Sequence, residues 1–277
     1  MKRVQSPSSI NTYLQCPRKY YYIYNLKLPT LPSIHLVRGS VAHSALEHFF
    51  DFGPDQRNFR SVFQKRILEL FREHWGSADF SGLDLSPEEL QFYHDETQMM
   101  LVNWVNQFSS KMEKFMGIGL SFNEAFAALT PKREVFIRDP ELMVQGYIDT
   151  VEEIDGNVRL MDYKTSKTPK MTDAYLLQLG IYALLYKRRF GKVPSKVGIY
   201  FLKDTEHLLS VSEGMIRNAQ AAIEQIHSLT ESDKMVDYPL NPSPLCKWSS
   251  GQCDFYDYCF NGKEVPKTEK QSGLGSF

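Results

Sequence analysis

Gly146-Tyr147-Ile148-Asp149 and, thirteen residues on, Asp162-Tyr163-Lys164 bracket the stretch that decides the fold. Leu142 to Ile148 is rich in apolar and β-branched residues, which favours a strand. Asp155-Gly156-Asn157 is a strong turn, and Val158 to Lys164 reads as the strand that returns beside the first. Side chains on a strand alternate, so Asp162 and Lys164 share a face, and Asp149 lies on the partner strand. Two carboxylates and an amine can therefore meet at one edge of a sheet. Phosphodiester hydrolysis needs such a set. Hard oxygen ligands hold Mg²⁺ or Mn²⁺, and a lysine can orient the attacking water or stabilise charge on the phosphoryl oxygens. An Asp-x-Lys on its own also fits a surface ion pair. Asp149 is what makes the chemical reading competitive.

Working outward, Glu134 to Ile137 predicts a further strand, and Glu134 is an additional candidate to face the same edge. Downstream, Thr172 to Arg189 predicts a helix, Lys196 to Lys203 a strand and Ser212 to Leu229 a helix. Upstream, residues from about 55 to 117 carry helical patterns broken near Gly76–Gly82, with a capping box in Ser86-Pro87-Glu88-Glu89. Arg38 to Phe50 predicts another helix, with Val41, Leu46, Phe49 and Phe50 as its apolar members. Ser6-Pro7-Ser8-Ser9 reads as a helix start, and Pro17 should disturb that helix just after Cys16. Helices, a strand hairpin, a helix, a strand and a helix define an α/β or α+β domain with a helical insertion.

The totals are compatible with this. A chain of 277 residues, 42% of them hydrophobic, can bury one substantial core. No apolar run approaches the roughly 20 residues of a membrane span, and Met1-Lys2-Arg3 precedes no apolar segment. The expected location is the cytoplasm, with no membrane partner. A net charge of −1 does not announce a nucleic-acid binder. Metal-binding carboxylates cancel phosphate-binding Lys and Arg in the sum, so it does not exclude one. Arg18-Lys19, Lys164 with Lys167 and Lys170, and Lys187-Arg188-Arg189 are local basic clusters. Each reads as a solvated face or as a DNA contact.

Three further features bear on the site. His43, in Gly39-Ser40-Val41-Ala42-His43, is a core or surface histidine, or a nitrogen ligand to the same metal. Gln178 and Tyr182 stand at i and i+4 on one helix face. They are either a half-buried polar pair or a contact to phosphate or base. The cysteines form the third feature. Cys16 stands alone, while Cys246, Cys253 and Cys259 crowd one C-terminal window. In a reducing compartment this distribution suggests a metal site before disulfides. Four thiolates are the usual set for a [4Fe–4S] cluster, and Zn²⁺ is the alternative occupant. Tyr20-Tyr21-Tyr22-Ile23-Tyr24 beside Arg18-Lys19 could stack unpaired bases or pack around the cysteine lobe.

The ordered series Gly39-x-x-x-His43, Gly146-x-x-Asp149, Asp162-x-Lys164 and Gln178-x-x-x-Tyr182 resembles the RecB-like PD-(D/E)XK nucleases. The flanking cysteines resemble their iron–sulfur branch, which includes CRISPR-associated adaptation exonucleases and AddB-type nuclease domains. The resemblance runs from about Ser6 to Cys259. It implies an α/β restriction-endonuclease-like core, a central mixed sheet flanked by helices. It also implies a helical insertion at about 54–117 and an iron–sulfur lobe from 1–30 and 240–262. Residues 1–265 would form a single nuclease domain and 266–277 a flexible tail.

By the same resemblance His43, Asp149, Asp162 and the main-chain carbonyl of Tyr163 bind Mg²⁺ or Mn²⁺. Lys164 is the catalytic lysine, and Gln178 and Tyr182 belong to the DNA-facing helix. Cys16, Cys246, Cys253 and Cys259 hold a [4Fe–4S] cluster. The implied activity is a metal-dependent DNA exonuclease on single-stranded ends, in DNA repair, recombination or CRISPR adaptation, with a helicase or integrase chain as partner. The alternative is a catalytically weak DNA-binding or assembly subunit of a helicase–nuclease or integrase complex. No Gly-x-x-x-x-Gly-Lys-Ser/Thr element is present, so any motor is a separate chain. One departure stands out. The family separates its first two C-terminal cysteines by two residues, whereas six lie between Cys246 and Cys253. The small, polar Ser249-Ser250-Gly251-Gln252 can loop out to absorb them.

Overall fold

A computed structural model describes residues 3–53, 58–154, 156–249 and 251–266. Helices α1 (Pro7–Gln15), α2 (Pro17–Tyr20) and a π-turn at Tyr21–Asn25 open the chain. Four helices follow: α3 (Ile34–His48), α4 (Phe59–Ser77), α5 (Pro87–Gly117) and α6 (Phe122–Leu129). Strands β1 (Lys132–Asp139), β2 (Val144–Ile154) and β3 (Asn157–Lys164) precede α7 (Asp173–Phe190), β4 (Lys196–Phe201), β5 (Glu206–Ser210) and α8 (Glu213–Leu229). Two short strands, β6 (Lys247–Trp248) and β7 (Gly251–Gln252), and helix α9 (Tyr256–Phe260) close it. The chain divides into two compact units, one of Pro32–Gln220 and one of Met1–Leu31 with Ala221–Phe277. The expected tail at 266–277 lies outside the described residues apart from Pro266, as do Asp155 of the expected turn and the first residues of the expected insertion, 54–57.

In the larger unit the five strands lie in the order β1-β2-β3-β4-β5. β3 and β4 are parallel and the other neighbours antiparallel, so the sheet is mixed as expected. The parallel pair needs a crossover, which α7 supplies. That helix packs against β1, β2, β3 and β4. Met161, Tyr163 and Tyr200 join a core with Phe49, Phe63, Trp104 and Phe108 from the insertion and its neighbours. The rings of Trp104 and Phe108 stack at 5.3 Å, and Phe49, Phe63 and Phe71 are fully buried. Each such side chain contributes roughly 1.5–3 kcal/mol by leaving water.

Several boundaries differ from the sequence reading, each for a local reason. The helix expected over Arg38 to Phe50 begins at Ile34, directly after Pro32 and an extended Ser33, and ends at His48. The strand expected from Leu142 begins at Val144. Asp139 Oδ1 takes the backbone N–H groups of Glu141 (3.0 Å) and Leu142 (2.8 Å), and Met143 has φ +50°, so these residues form a turn. The strand expected to reach Lys203 stops at Phe201, whose N–H donates to Thr205 O and turns the chain into β5. Gly198 explains how tightly that hairpin closes: a Cβ there would lie 2.7 Å from His207 O. Capping boxes form at Ser86–Glu89 as expected, and also at Ser121–Glu124 ahead of α6. Among the described residues no helix is long and apolar enough to cross a membrane.

In the smaller unit Ser6 caps α1, and Cys16 ends it just before Pro17. Tyr20, Tyr21 and Tyr22 are buried, and Tyr20 stacks on Tyr238 at 6.1 Å. Arg18 Nε donates to Tyr238 O at 2.7 Å. Of the two readings of this run, packing describes the three buried tyrosines and Arg18.

Candidate active site

The hairpin of β2 and β3 is laddered from Ile154↔Asn157 to Thr150↔Met161. Beyond that rung the strands no longer pair. Asp149 Oδ2 instead accepts the backbone N–H of Tyr163 at 2.7 Å, a side chain where the ladder would have continued. On the other side, β1 pairs with β2 at Arg133↔Thr150 and Val135↔Ile148, leaving Glu134 and Asp149 facing each other without a ladder bond. Glu134 has φ +46°, a left-handed conformation costing on the order of 1–3 kcal/mol in a non-glycine residue. Glu134, Asp149 and Asp162 thus stand in one row across three strands, at the point where both ladders are interrupted.

Helix α3 brings His43 to this row. Its Nδ1 lies 3.3 Å from Asp149 Oδ2, and its Nε2 is 3.0 Å from Tyr163 O. Ligand atoms of His43, Glu134 and Asp149 all fall within 4.8 Å of one another, the one such set among the described residues. Lys164 Nζ lies 2.5 Å from Asp162 Oδ2. That carboxylate oxygen is buried against the ammonium, while Gln178 Nε2 donates to Asp162 Oδ1 at 2.7 Å. Gln178 also donates to Tyr182 Oη at 2.9 Å. The polar pair on α7 therefore points inward to the carboxylate row, and Tyr182 is only 6% exposed.

The electrostatics follow from crowding. Burial, and then the neighbouring Asp162 and Glu134 charges, hold the Asp149 carboxyl well above the usual carboxylate range. Burial, with Glu47 and Asp162, raises Glu134 too. Burial lowers His43, which keeps its imidazole neutral and able to ligate. For Lys164, burial pulls down but the Asp162 carboxylate outweighs it, and the ammonium is held. Two carboxylates and an imidazole with ligand atoms within 4.8 Å of one another, beside the buried Asp162, fit a divalent cation. Oxygen donors with one neutral imidazole suit Mn²⁺ or Mg²⁺.

Sequence reasoning did not find the frame behind Lys164. Arg38 is 3% exposed, pairs with Glu96 of α5 and donates from Nη2 to Thr165 O at 2.6 Å. Lys203 pairs with the same Glu96. Leu202 N donates to Lys164 O at 3.0 Å, and Asn103 of α5 donates to Leu202 O at 2.9 Å. The only hint was a charged residue directly ahead of Gly39-x-x-x-His43. Glu96 lies among polar residues of the long helix α5 and carried no signal. Of the basic clusters, Lys187 and Arg188 face acidic partners, Glu213 for the first and Asp139 with Glu141 for the second.

In the smaller unit Cys16, Cys246, Cys253 and Cys259 are all free thiols and line one pocket, with Leu240, Pro242, Phe255 and Phe260. The six residues between Cys246 and Cys253 include the β6–β7 hairpin, closed by Cys253 N donating to Cys246 O at 2.9 Å. The expected loop-out is thus a small hairpin. Ser250 lies outside the described residues. Burial raises the thiols of Cys253 and Cys259.

The sequence model of the PD-(D/E)XK nuclease superfamily matches residues 5–260. The chain belongs to that superfamily and is a RecB-like nuclease. It is similar to the Gene 69 protein of Mycobacterium phage D29, at 26% identity over 72% of this chain and 74% of that one. It is also similar to the CRISPR-associated exonuclease Cas4 of Francisella tularensis subsp. novicida (strain U112), at 27% identity over 44% of this chain and 59% of that protein. A solved structure from Eubacterium rectale superposes with a TM-score of 0.49 at 13% identity, covering 99% of this chain and 94% of the other.

Proposed function

We propose that this nuclease is a divalent-metal-dependent DNA exonuclease that works on single-stranded ends in the cytoplasm, in DNA repair, recombination or CRISPR adaptation. The observation that carries it is the row of Glu134, Asp149 and Asp162 with His43 on one side and Lys164 on the other. The name of the Francisella relative, an exonuclease, supports the choice of end-directed cleavage. His43, Glu134, Asp149 and Asp162 would hold Mg²⁺ or Mn²⁺, with the Tyr163 carbonyl beside His43. When bound, such an ion polarises the phosphate and lowers the pKa of a coordinated water.

The protein's own groups do the rest. Lys164, kept charged by Asp162, directs its ammonium at the phosphoryl oxygens or the attacking water. Gln178 fixes the Asp162 carboxylate through Oδ1, and Tyr182 fixes Gln178. Arg38 holds the main chain just past Lys164. A helicase or integrase chain as partner completes the reading.

The four cysteines are assigned to a structural [4Fe–4S] cluster. One observation supports this: all four thiols line one apolar pocket.

The activity is tested by digesting end-labelled single- and double-stranded DNA with Mn²⁺, with and without chelator. Stepwise loss from single-stranded ends that stops on chelation is expected. Cleavage that survives chelation, or of closed circles only, overturns the reading.

A further inference from the structure

Phe136 and Tyr147 are large aromatic residues that the fold leaves in water. They are 48% and 56% exposed, and they are directly paired across β1 and β2 with ring centroids 4.8 Å apart. Their position is particular. Phe136 stands two residues after Glu134, and Tyr147 two residues before Asp149. At roughly 3.3 Å per residue, the aromatic pair is about 7 Å along the strands from the carboxylate row. Alternation along β2 puts Gln145, Tyr147 and Asp149 on one side of that strand. The next rung of the ladder on the same face is Arg138↔Gln145, with Arg138 exposed. Two rungs therefore run outward from the acidic site: an aromatic pair, then a cation with an amide.

We propose that Phe136 and Tyr147 form a base-stacking platform for the unpaired strand whose phosphate enters the carboxylate row, with Arg138 on the backbone beyond it. The proposal rests on the reading of the site as a DNA nuclease and names a contact that selects single strands. Every base offers a π-face, so stacking tolerates sequence but requires the base to be unstacked from a partner. A duplex keeps its bases inside, and so gains nothing from the platform. The simpler role of such a pair is to fasten two strands together. That role requires no exposure, whereas about half of each residue here is open to solvent.

The test is a thermodynamic cycle on the full chain. One axis is the double variant Phe136→Leu with Tyr147→Leu, which keeps apolar bulk and removes both rings. The other is a single-stranded oligodeoxynucleotide, intact or with abasic sites in place of its three terminal bases. Binding is read by fluorescence anisotropy without divalent metal, and cleavage of the intact strand is followed with Mn²⁺. The expected result is that the variant loses about tenfold in affinity for the intact strand. Against the abasic strand it loses little further, and its KM rises more than its kcat falls. Equal losses on intact and abasic strands overturn the platform and leave a structural pair. Wild-type affinity of the variant for the intact strand overturns it as well. The exchanged pair Phe136→Tyr with Tyr147→Phe keeps both rings and should bind as wild type does; a loss there also counts against stacking. Absence of cleavage by the wild-type chain would instead defeat the nuclease reading, a separate outcome.

Discussion

The carboxylate cleft and the cysteine pocket are built on opposite principles. The cleft draws three of its acids from neighbouring strands within one stretch of chain, from Glu134 to Asp162, and Asp149 and Asp162 are tied to protein partners. The pocket draws Cys16 from one end of the sequence and three cysteines from the other, in apolar surroundings, where burial raises the thiols of Cys253 and Cys259. The first is a scaffold that stands without an ion, because sheet register and hydrogen bonds already place its side chains. On the proposed assignment the second would gain its cohesion from the group its sulfurs bind, since binding must deprotonate them and close a very long loop. Loss of ligands should therefore silence the cleft but loosen the pocket.

Asp162→Asn should give the largest effect. It removes the charge that faces Lys164, and cleavage is expected to fall by on the order of 10³-fold or more. Far-ultraviolet circular dichroism should stay unchanged, and calorimetry should show weakened Mn²⁺ binding. A melting temperature that collapses along with activity would erase the contrast between the two regions.

Cys253→Ser tests the other side. In protein prepared without oxygen, iron content and visible absorption should vanish. The melting temperature should fall by about 2–4 °C for each kcal/mol lost. Mn²⁺ binding in the cleft should change less than the iron content does. Stoichiometric zinc in the wild-type protein, with no iron, would convert the pocket into a zinc knot.

A smaller effect is expected of Arg38→Lys. The ammonium keeps the charge but cannot serve Glu96 and Thr165 O with one planar fork. A hydrogen bond from a buried charged group contributes about 1.5–3 kcal/mol, so a fall in kcat of about tenfold or more is expected. KM should hardly move, because Arg38 acts through the Lys164 segment. A change confined to KM would place Arg38 on the substrate instead.

Tyr182→Phe should be the mildest. It removes a hydroxyl that accepts one hydrogen bond from Gln178, worth about 1 kcal/mol, and Gln178 keeps its bond to Asp162. Cleavage should drop a few-fold with Mn²⁺ affinity nearly unchanged. If metal affinity collapses, Tyr182 orders the ligands more strongly than this geometry implies.

What the sequence disclosed follows the same division. Asp149, Asp162 and Lys164 were readable because strand alternation and a Gly-centred turn act over a few residues. A polar pair amid the apolar residues of α7 needs a partner if it is buried, which pointed Gln178 and Tyr182 to the strand edge of Asp162 and Lys164; helical spacing alone did not say whether the pair was buried. Glu134 could be suspected from its strand, but its left-handed backbone depends on the neighbouring strand and leaves no local trace. Arg38 and Glu96 lie 58 residues apart and meet only through tertiary packing. The hairpin between Cys246 and Cys253 was legible as a small, polar insertion, though not as paired strands. Strand β5 escaped notice because five residues without alternation resemble a loop.

The most direct measurement is single-turnover cleavage of an end-labelled single strand by wild-type chain and Lys164→Ala, each paired with a calorimetric Mn²⁺ titration. Lys164 neighbours the proposed metal ligands without being one. The expected outcome is a loss of about 10²- to 10³-fold in cleavage with Mn²⁺ binding retained. Cleavage by Lys164→Ala within a few-fold of wild type, on a substrate the wild type degrades, would contradict the assignment of this cleft as the active site.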